Sequence, residues 1–150
     1  MRQFLLCCLL VLNAAHAYAQ TAEEIKQMAA QGNSQAEAKL AALYLLGRDG
    51  IDKDDHQAAI WMEKAANQGL VDAQVAIAAM YDSGRGVTGD RDKATAWYEK
   101  AAAQGHGTSM AILGKNSAAK GSVQFNYQAM RLNASKSIPN EYAKKFLTTK

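Results

Sequence analysis

Residues 71–105 read VDAQVAIAAMYDSGRGVTGDRDKATAWYEKAAAQG, two helices around a glycine-rich turn. The first half places Ala73, Ile77, Met80 and Tyr81 at i, i+4, i+7 and i+8, which is one face of a helix. Gly84 and Gly86 then end it, because glycine enters the left-handed conformation that closes a helix without a Cβ penalty. Asp90 stands where a second helix begins. Its carboxylate can accept orphan backbone N–H groups, and it suits the positive end of the helix dipole. The second half carries Ala94, Trp97, Tyr98, Ala101 and Ala102 and stops at Gln104-Gly105. Alanine keeps the most helix propensity and lets helix axes approach closely, while tryptophan fills the space toward a neighbouring pair.

The same unit lies directly upstream. Gln104-Gly105 repeats Gln68-Gly69 and Gln31-Gly32, at steps of 36 and 37 residues. Trp97 matches Trp61, Tyr81 matches Tyr44, Gly84 matches Gly47, and Lys100-Ala101-Ala102 matches Lys64-Ala65-Ala66. Helix A of this copy runs from about Ser34 to Leu46 with Ala36, Leu40, Leu43 and Tyr44 on one face. Helix B follows Asp54-Asp55 and carries Ala58, Trp61, Met62, Ala65 and Ala66. Self-similarity at this period is the mark of a solenoid, in which each helix pair buries its apolar face only against its neighbours.

The pattern resembles the Sel-one-like repeat, a relative of the tetratricopeptide repeat. The second copy carries it at Ala73, Ile77, Tyr81, Gly84, Gly86-Val87, Asp90, Lys93-Ala94, Trp97-Tyr98, Lys100-Ala101-Ala102 and Gln104-Gly105. The first copy departs by one inserted residue in the loop Arg48-Asp49-Gly50-Ile51, and by His56-Gln57 where the family usually has a lysine. The resemblance implies an all-α fold, a short right-handed α-solenoid of antiparallel helix pairs. It divides residues 20–150 into a half repeat (22–32), repeats at 34–69 and 71–105, a degenerate repeat (108–137) and a C-terminal helix (140–148). In the decayed third copy, Leu113-Gly114 and Gly121 fit helix A and its stop, and Gln128-Ala129-Met130 fits helix B. Pro139 is expected to break the chain before a last helix from Glu141 to Leu147.

Residues 1–19 stand apart. Arg2 precedes the apolar run Phe4–Leu12, and Ala17-Tyr18-Ala19 is a small-x-small cleavage site, the layout of a secretory signal peptide. Cleavage is expected after Ala19, with a second-ranked site after Ala17, and a periplasmic location follows. The run is too short to span a bilayer, and no later segment is apolar enough to do so. Cys7 and Cys8 both fall in this stretch, and the large Leu6 before Cys7 argues against a lipid anchor. The exported chain would then carry no thiol chemistry and no disulfide.

The charge balance is 17 basic to 14 acidic residues, net +3, and +2 without Arg2. That is too even for a nucleic-acid partner. Lys144, Lys145 and Lys150 against Glu141 make a basic tail that reads as a solvated face. Asp49, Asp52, Asp54, Asp55 and His56 are the densest set of candidate metal ligands. Their spacing lacks the alternation and sixth-position glycine of a calcium loop, so they read as an inter-helix loop and helix cap, and no metal is expected. His56 and His106 have no legible nucleophile or acid partner, so no catalytic residue is assigned. Trp61 and Trp97 recur at repeat spacing and read as core. Gly84-Arg85-Gly86 has no preceding strand and no following Gly-Lys-Ser/Thr, so it reads as a repeat turn rather than a phosphate loop. Asn133-Ala134-Ser135 fits a glycosylation sequon, relevant only in a eukaryotic secretory pathway. The branch of the family linked to penicillin binding carries a disulfide in each repeat. This chain lacks it, so the resemblance does not imply that activity.

By register with the tetratricopeptide repeat, helix A lines the inner face of the solenoid. That face would present Gln35, Ala38, Ala42 and Leu45, then Asp72, Val75, Ala79 and Asp82, then Thr108, Ala111, Lys115 and Ala118. A shallow, small-residue face edged with acids suits a helix or extended segment of another protein. The expected function is a protein-binding module without cofactor or small-molecule substrate. Among its roles, a stoichiometric inhibitor or immunity protein against a secreted toxin ranks first, an envelope regulator or scaffold adaptor second, and a cell-wall or antibiotic hydrolase last.

Overall fold

A computed structural model describes residues 21–114 and 127–148, with the backbone alone for 127–135. Among the described residues the chain is all-helical. It consists of α1 (Ala22–Ala30), α2 (Ser34–Leu46), α3 (Asp55–Asn67), α4 (Val71–Ser83), α5 (Arg91–Ala103), α6 (Gly107–Ile112) and α7 (Tyr127–Thr148). The pairs α2/α3 and α4/α5 pack internally, α3 packs on α4, and α1 on α2, as in an α-solenoid. Residues 1–20, with the leader reading, and Gly121 lie outside the described residues.

The helix ends follow the side chains that define them. Asn33 caps α2 by accepting from the Ala36 N–H at 3.0 Å. Asp54 caps α3 by accepting from the His56 and Gln57 N–H groups, both at 2.9 Å. Asp90 caps α5 by accepting from Asp92 and Lys93 at 3.1 and 3.0 Å. Each cap satisfies backbone donors that the first turn leaves unpaired. Gly47 and Gly84 close α2 and α4 at φ of +63° and +69°.

The Gln-Gly motif has a structural use. Gln68 donates from Nε2 to Glu37 Oε2 at 2.7 Å, and Gln104 donates to Gln74 Oε1 at 2.9 Å. Glu37 and Gln74 hold equivalent positions on α2 and α4 and are buried, so each needs a partner. Gln74 in turn donates to the Ala66 carbonyl of the preceding repeat at 3.3 Å. The repeating glutamine therefore ties the end of helix B to the buried polar residue of its own helix A.

The two repeats also meet through the Gly84–Gly86 turn. Arg85 donates to Asp55 Oδ1 at 2.8 Å and to the Leu45 carbonyl at 3.3 Å. Its guanidinium holds the Asp55 carboxyl below the usual carboxylate range. Gly86 has φ of +71°, and a Cβ there would lie far inside van der Waals contact distance of the Asp55 carbonyl oxygen. His56 Nδ1 lies 3.0 Å from the Gly86 carbonyl and donates to it. Asp54 and Asp55, which sequence placed in a candidate acidic cluster, are thus a helix cap and half of an ion pair.

Two expectations fail in the C-terminal third. Helix A of the third copy is only the six-residue α6, closing at Leu113 before Gly114 at φ +66°. Pro139 does not break the chain but sits inside the 22-residue α7. A proline in a helix interior loses one backbone hydrogen bond and crowds the preceding turn, at about 3 kcal/mol or more. Packing offsets that cost, because Pro139 and its neighbour Ile138 are both buried.

Trp97 is 7% exposed and belongs to the main core, with the Lys100 ammonium 3.8 Å from its ring centre. Lys64 covers Trp61 at the same distance in the first repeat. Trp97→Ala is expected to cost roughly 3–5 kcal/mol, the range for truncating a buried large aromatic. Gly86→Ala combines a left-handed backbone with a backbone clash and is expected to cost about 2–4 kcal/mol. Thermal and urea melts of each variant against the unchanged chain measure both.

Candidate protein-binding groove

The inner face is built mainly by α2 and α4. On α2, Ala38, Ala42 and Leu45 are at most 1% exposed; on α4, Val75 and Ala79 are at 0%. Five of the twelve residues assigned to an open face are therefore not open. Gln35 and Thr108 are exposed, Asp72, Asp82 and Ala111 are half-buried, and Lys115 and Ala118 lie outside the described residues. Arginine at Ala42 or Ala79 would therefore not meet solvent, since both side chains have no accessible surface.

The cover is α7. It packs along both α2 and α4 and touches α6 more lightly. Its buried residues Ile138, Ala143 and Phe146 join the same cluster as Ala38, Ala42, Leu45, Val75 and Ala79, with Tyr142 and Leu147 partly buried against it. Leu147 also reaches the second cluster, which holds Ile25, Leu40 and Leu43. The pairs Ile138-Pro139, Tyr142-Ala143 and Phe146-Leu147 recur every four residues, so they share one helical face, while Glu141, Lys144 and Lys145 stay exposed. That period was readable in the sequence. The basic residues between the pairs drew the reading toward a solvated tail.

Polar contacts fix the direction of α7. Asn140 Oδ1 accepts from Arg85 at 2.7 Å, near the C-terminal end of α2. Lys145 pairs with Asp72 at 2.6 Å, in the first turn of α4. Tyr142 Oη lies 2.7 Å from His106 Nε2 at the start of α6. The segment 138–148 thus runs back from the C-terminal ends of the A helices toward their N-terminal ends.

His106 has two duties. Its Nδ1 caps α6 by accepting from the Ser109 N–H at 3.2 Å and lies 3.0 Å from Ser109 Oγ. A ring that accepts at Nδ1 carries its proton at Nε2, which then donates to Tyr142. Burial pushes the His106 pKa down, the Asp72 carboxylate opposes this, and the Lys145 ammonium adds to it. Burial, with Asp72 and Glu141 nearby, raises the Tyr142 hydroxyl to about 12. Sequence reasoning found no partner for His106 because Tyr142 is 36 residues away.

Among the described residues no group of three or more histidine, cysteine or acidic side chains is placed to hold a metal ion, and no helix is long and apolar enough to cross a membrane. A groove one helix wide, walled by alanines and edged by a carboxylate, an arginine and a histidine, defines a helical protein-binding repeat. Residues 34–70 and 71–106 match the Sel1 repeat, and the chain is a Sel1 repeat protein, a tetratricopeptide-like α-solenoid. Solved structures agree. A Sel1 repeat protein from Oxalobacter formigenes is 36% identical with a TM-score of 0.59, over 62% of this chain and 27% of that one. A protective antigen of uropathogenic Escherichia coli displaying an SLR fold is 32% identical with a TM-score of 0.57, over 84% and 26%. Among curated proteins, Chitin synthase regulatory factor 3 of Schizosaccharomyces pombe is 42% identical over 78 residues, 51% of this chain and 8% of its own length. Chitin synthase regulator SKT5 of Saccharomyces cerevisiae is 36% identical over 87 residues, 57% and 12%. The chain thus spans about a tenth of the length of these curated relatives.

A neutral, capping His106 stabilises the fold most above its unfolded pKa of about 6.5. Because its folded pKa is lower still, the unfolded chain binds more protons as pH falls, and this stability is lost through and below that value. His106→Asn keeps an N-cap side chain but cannot titrate. Its melting temperature is expected to fall less between pH 7.5 and pH 5 than that of the unchanged chain, and equal slopes would remove His106 from the acid response.

Proposed function

We propose that this chain is an exported module that acts by holding one other protein rather than by catalysis. The observation that carries this reading is the inner face of α2 and α4, already filled by a helix. A surface that accommodates one amphipathic helix has the shape and chemistry of helix-in-groove recognition. Sel1 repeats serve protein–protein interaction. The leader-like residues 1–19 support export and a periplasmic site of action.

Within that class the favoured role is a stoichiometric inhibitor or immunity protein against a secreted toxin or effector. The described helices are those of the repeats and the helix that covers them, an arrangement that suits blocking a partner by occupancy. The second reading is a regulator or scaffold adaptor of the envelope. The names of the chitin synthase regulators favour it, since each is similar to this chain over about half of this chain's length.

Titration of an identified partner against the full chain tests the proposal. One-to-one binding is expected. Asp72→Lys at the groove edge should weaken it at least tenfold, while Lys93→Glu on the outer helix α5 leaves it within about twofold; a charge-assisted pair is worth about 1.5–3 kcal/mol. Loss at Lys93 with none at Asp72 would move the binding surface to the outer face. If the partner is a toxin, its activity should fall in proportion to the chain added.

A further inference from the structure

We propose that the last turns of α7, from Ile138 to Thr148, are a built-in occupant of the groove, and that the partner is recognised by an amphipathic helix of the same pattern that takes their place. This deepens the groove-binding reading above and rests on it. The pattern is two apolar residues every four positions, a small residue in the middle row, an aromatic in the last, and a base set to meet Asp72. In this chain those places are held by Ile138-Pro139, Tyr142-Ala143 and Phe146-Leu147, with Lys145 as the base.

Three observations carry the proposal. The groove is lined by small side chains, with Ala38, Ala42 and Ala79 on its floor, so a helix backbone can settle close to it whatever its outer face carries. Its edge charge is complementary to the occupant's: Asp72 lies in the first turn of α4, and Lys145 lies in the last turn of α7. Pro139 interrupts the backbone ladder of α7 where the groove segment begins, so the last turns can leave with fewer helix bonds to break. A segment tethered to its own site competes at an effective concentration in the millimolar range, so an incoming helix must match its contacts to displace it. Groove access is then selective for helices of this pattern.

The test uses the full chain and a fluorescent synthetic peptide of residues 136–148, in its natural form and with Lys145→Glu, read by anisotropy. The unchanged chain should bind either peptide weakly. Asp72→Lys sets a lysine against the chain's own Lys145, and should bind the Lys145→Glu peptide at least tenfold more tightly than the natural one. A chain carrying Phe146→Ala, whose own helix has lost its aromatic, should take up the natural peptide at least tenfold more tightly than the unchanged chain does. Circular dichroism and melting curves establish that each variant is folded, and the Asp72→Lys arm decides if Phe146→Ala is not. Folded variants that bind neither peptide better than the unchanged chain overturn the proposal, and α7 is then a fixed part of the core. If size-exclusion shows the unchanged chain as a dimer that adding excess natural peptide splits into monomers, the occupant is a second copy and the proposal is likewise overturned. A partner whose affinity depends on Asp72 but which does not compete with the peptide leaves the groove reading standing and sinks this one. Peptide exchange without any effect of Asp72→Lys on the partner sinks the groove reading and with it the recognition of the partner proposed here, leaving α7 only as an exchangeable occupant of the groove.

Discussion

Helices α2 and α4 must be apolar on nearly every side, and the rest of the structure depends on this. Each has helix B on one flank and α7 on another. A helix with neighbours all round cannot carry a polar face, and it cannot carry bulky side chains all round without forcing its neighbours apart. Alanine resolves both demands: Ala73, Ala76, Ala78 and Ala79 are at 0% exposure on α4, and Ala38, Ala41 and Ala42 on α2. The few large residues, Leu40, Leu43, Leu45, Ile77 and Met80, then fill the corners. The polar exceptions inside this packing, Glu37 and Gln74, persist because a glutamine from the end of helix B reaches each of them.

The repeat, its helix boundaries and its turns were legible because they are local. Asp54 and Asp90 cap helices for the reason their position suggested, and Gly47 and Gly84 adopt the left-handed conformation that a helix stop requires. The state of the inner face was not local. Ala38, Ala42, Leu45, Val75 and Ala79 read correctly as one row by repeat register, but a row of five apolar residues on a solenoid face calls for a cover, and the cover lies some 60 to 100 residues away in sequence. The signal for it was the four-residue recurrence in 138–147. Pro139 obscured that signal, because a proline ordinarily ends a helix and here is retained by burial.

Charge placement at the mouth of the groove is consistent on two levels. Asp72 favours the N-terminal end of α4 and Lys145 favours the C-terminal end of α7, each through the dipole of its own helix. Because α7 runs back along the A helices, those two ends meet, and the residues that suit each helix singly also suit each other at 2.6 Å. His106 stands between them, capping α6 on one side and meeting Tyr142 on the other. Protonating it places a hydrogen on Nδ1 and removes the acceptor that caps α6, while Nε2 still donates to Tyr142.

The return of α7 to the first helices also alters how the chain folds. An open array of repeats has only nearest-neighbour terms, so it can fray from either end and populate partly folded species. Here Leu147 packs against the cluster that joins Ile25 of α1 to Leu40 and Leu43 of α2, so the last described helix is tied into the same cluster as the first. The packing of α7 on α2 spans about 100 residues of sequence, and loop closure of this length must be completed before it contributes. The chain therefore exchanges the rapid, divisible folding of a linear array for a slower transition in which both repeats, the N-terminal helix and the C-terminal helix gain their final stability at once.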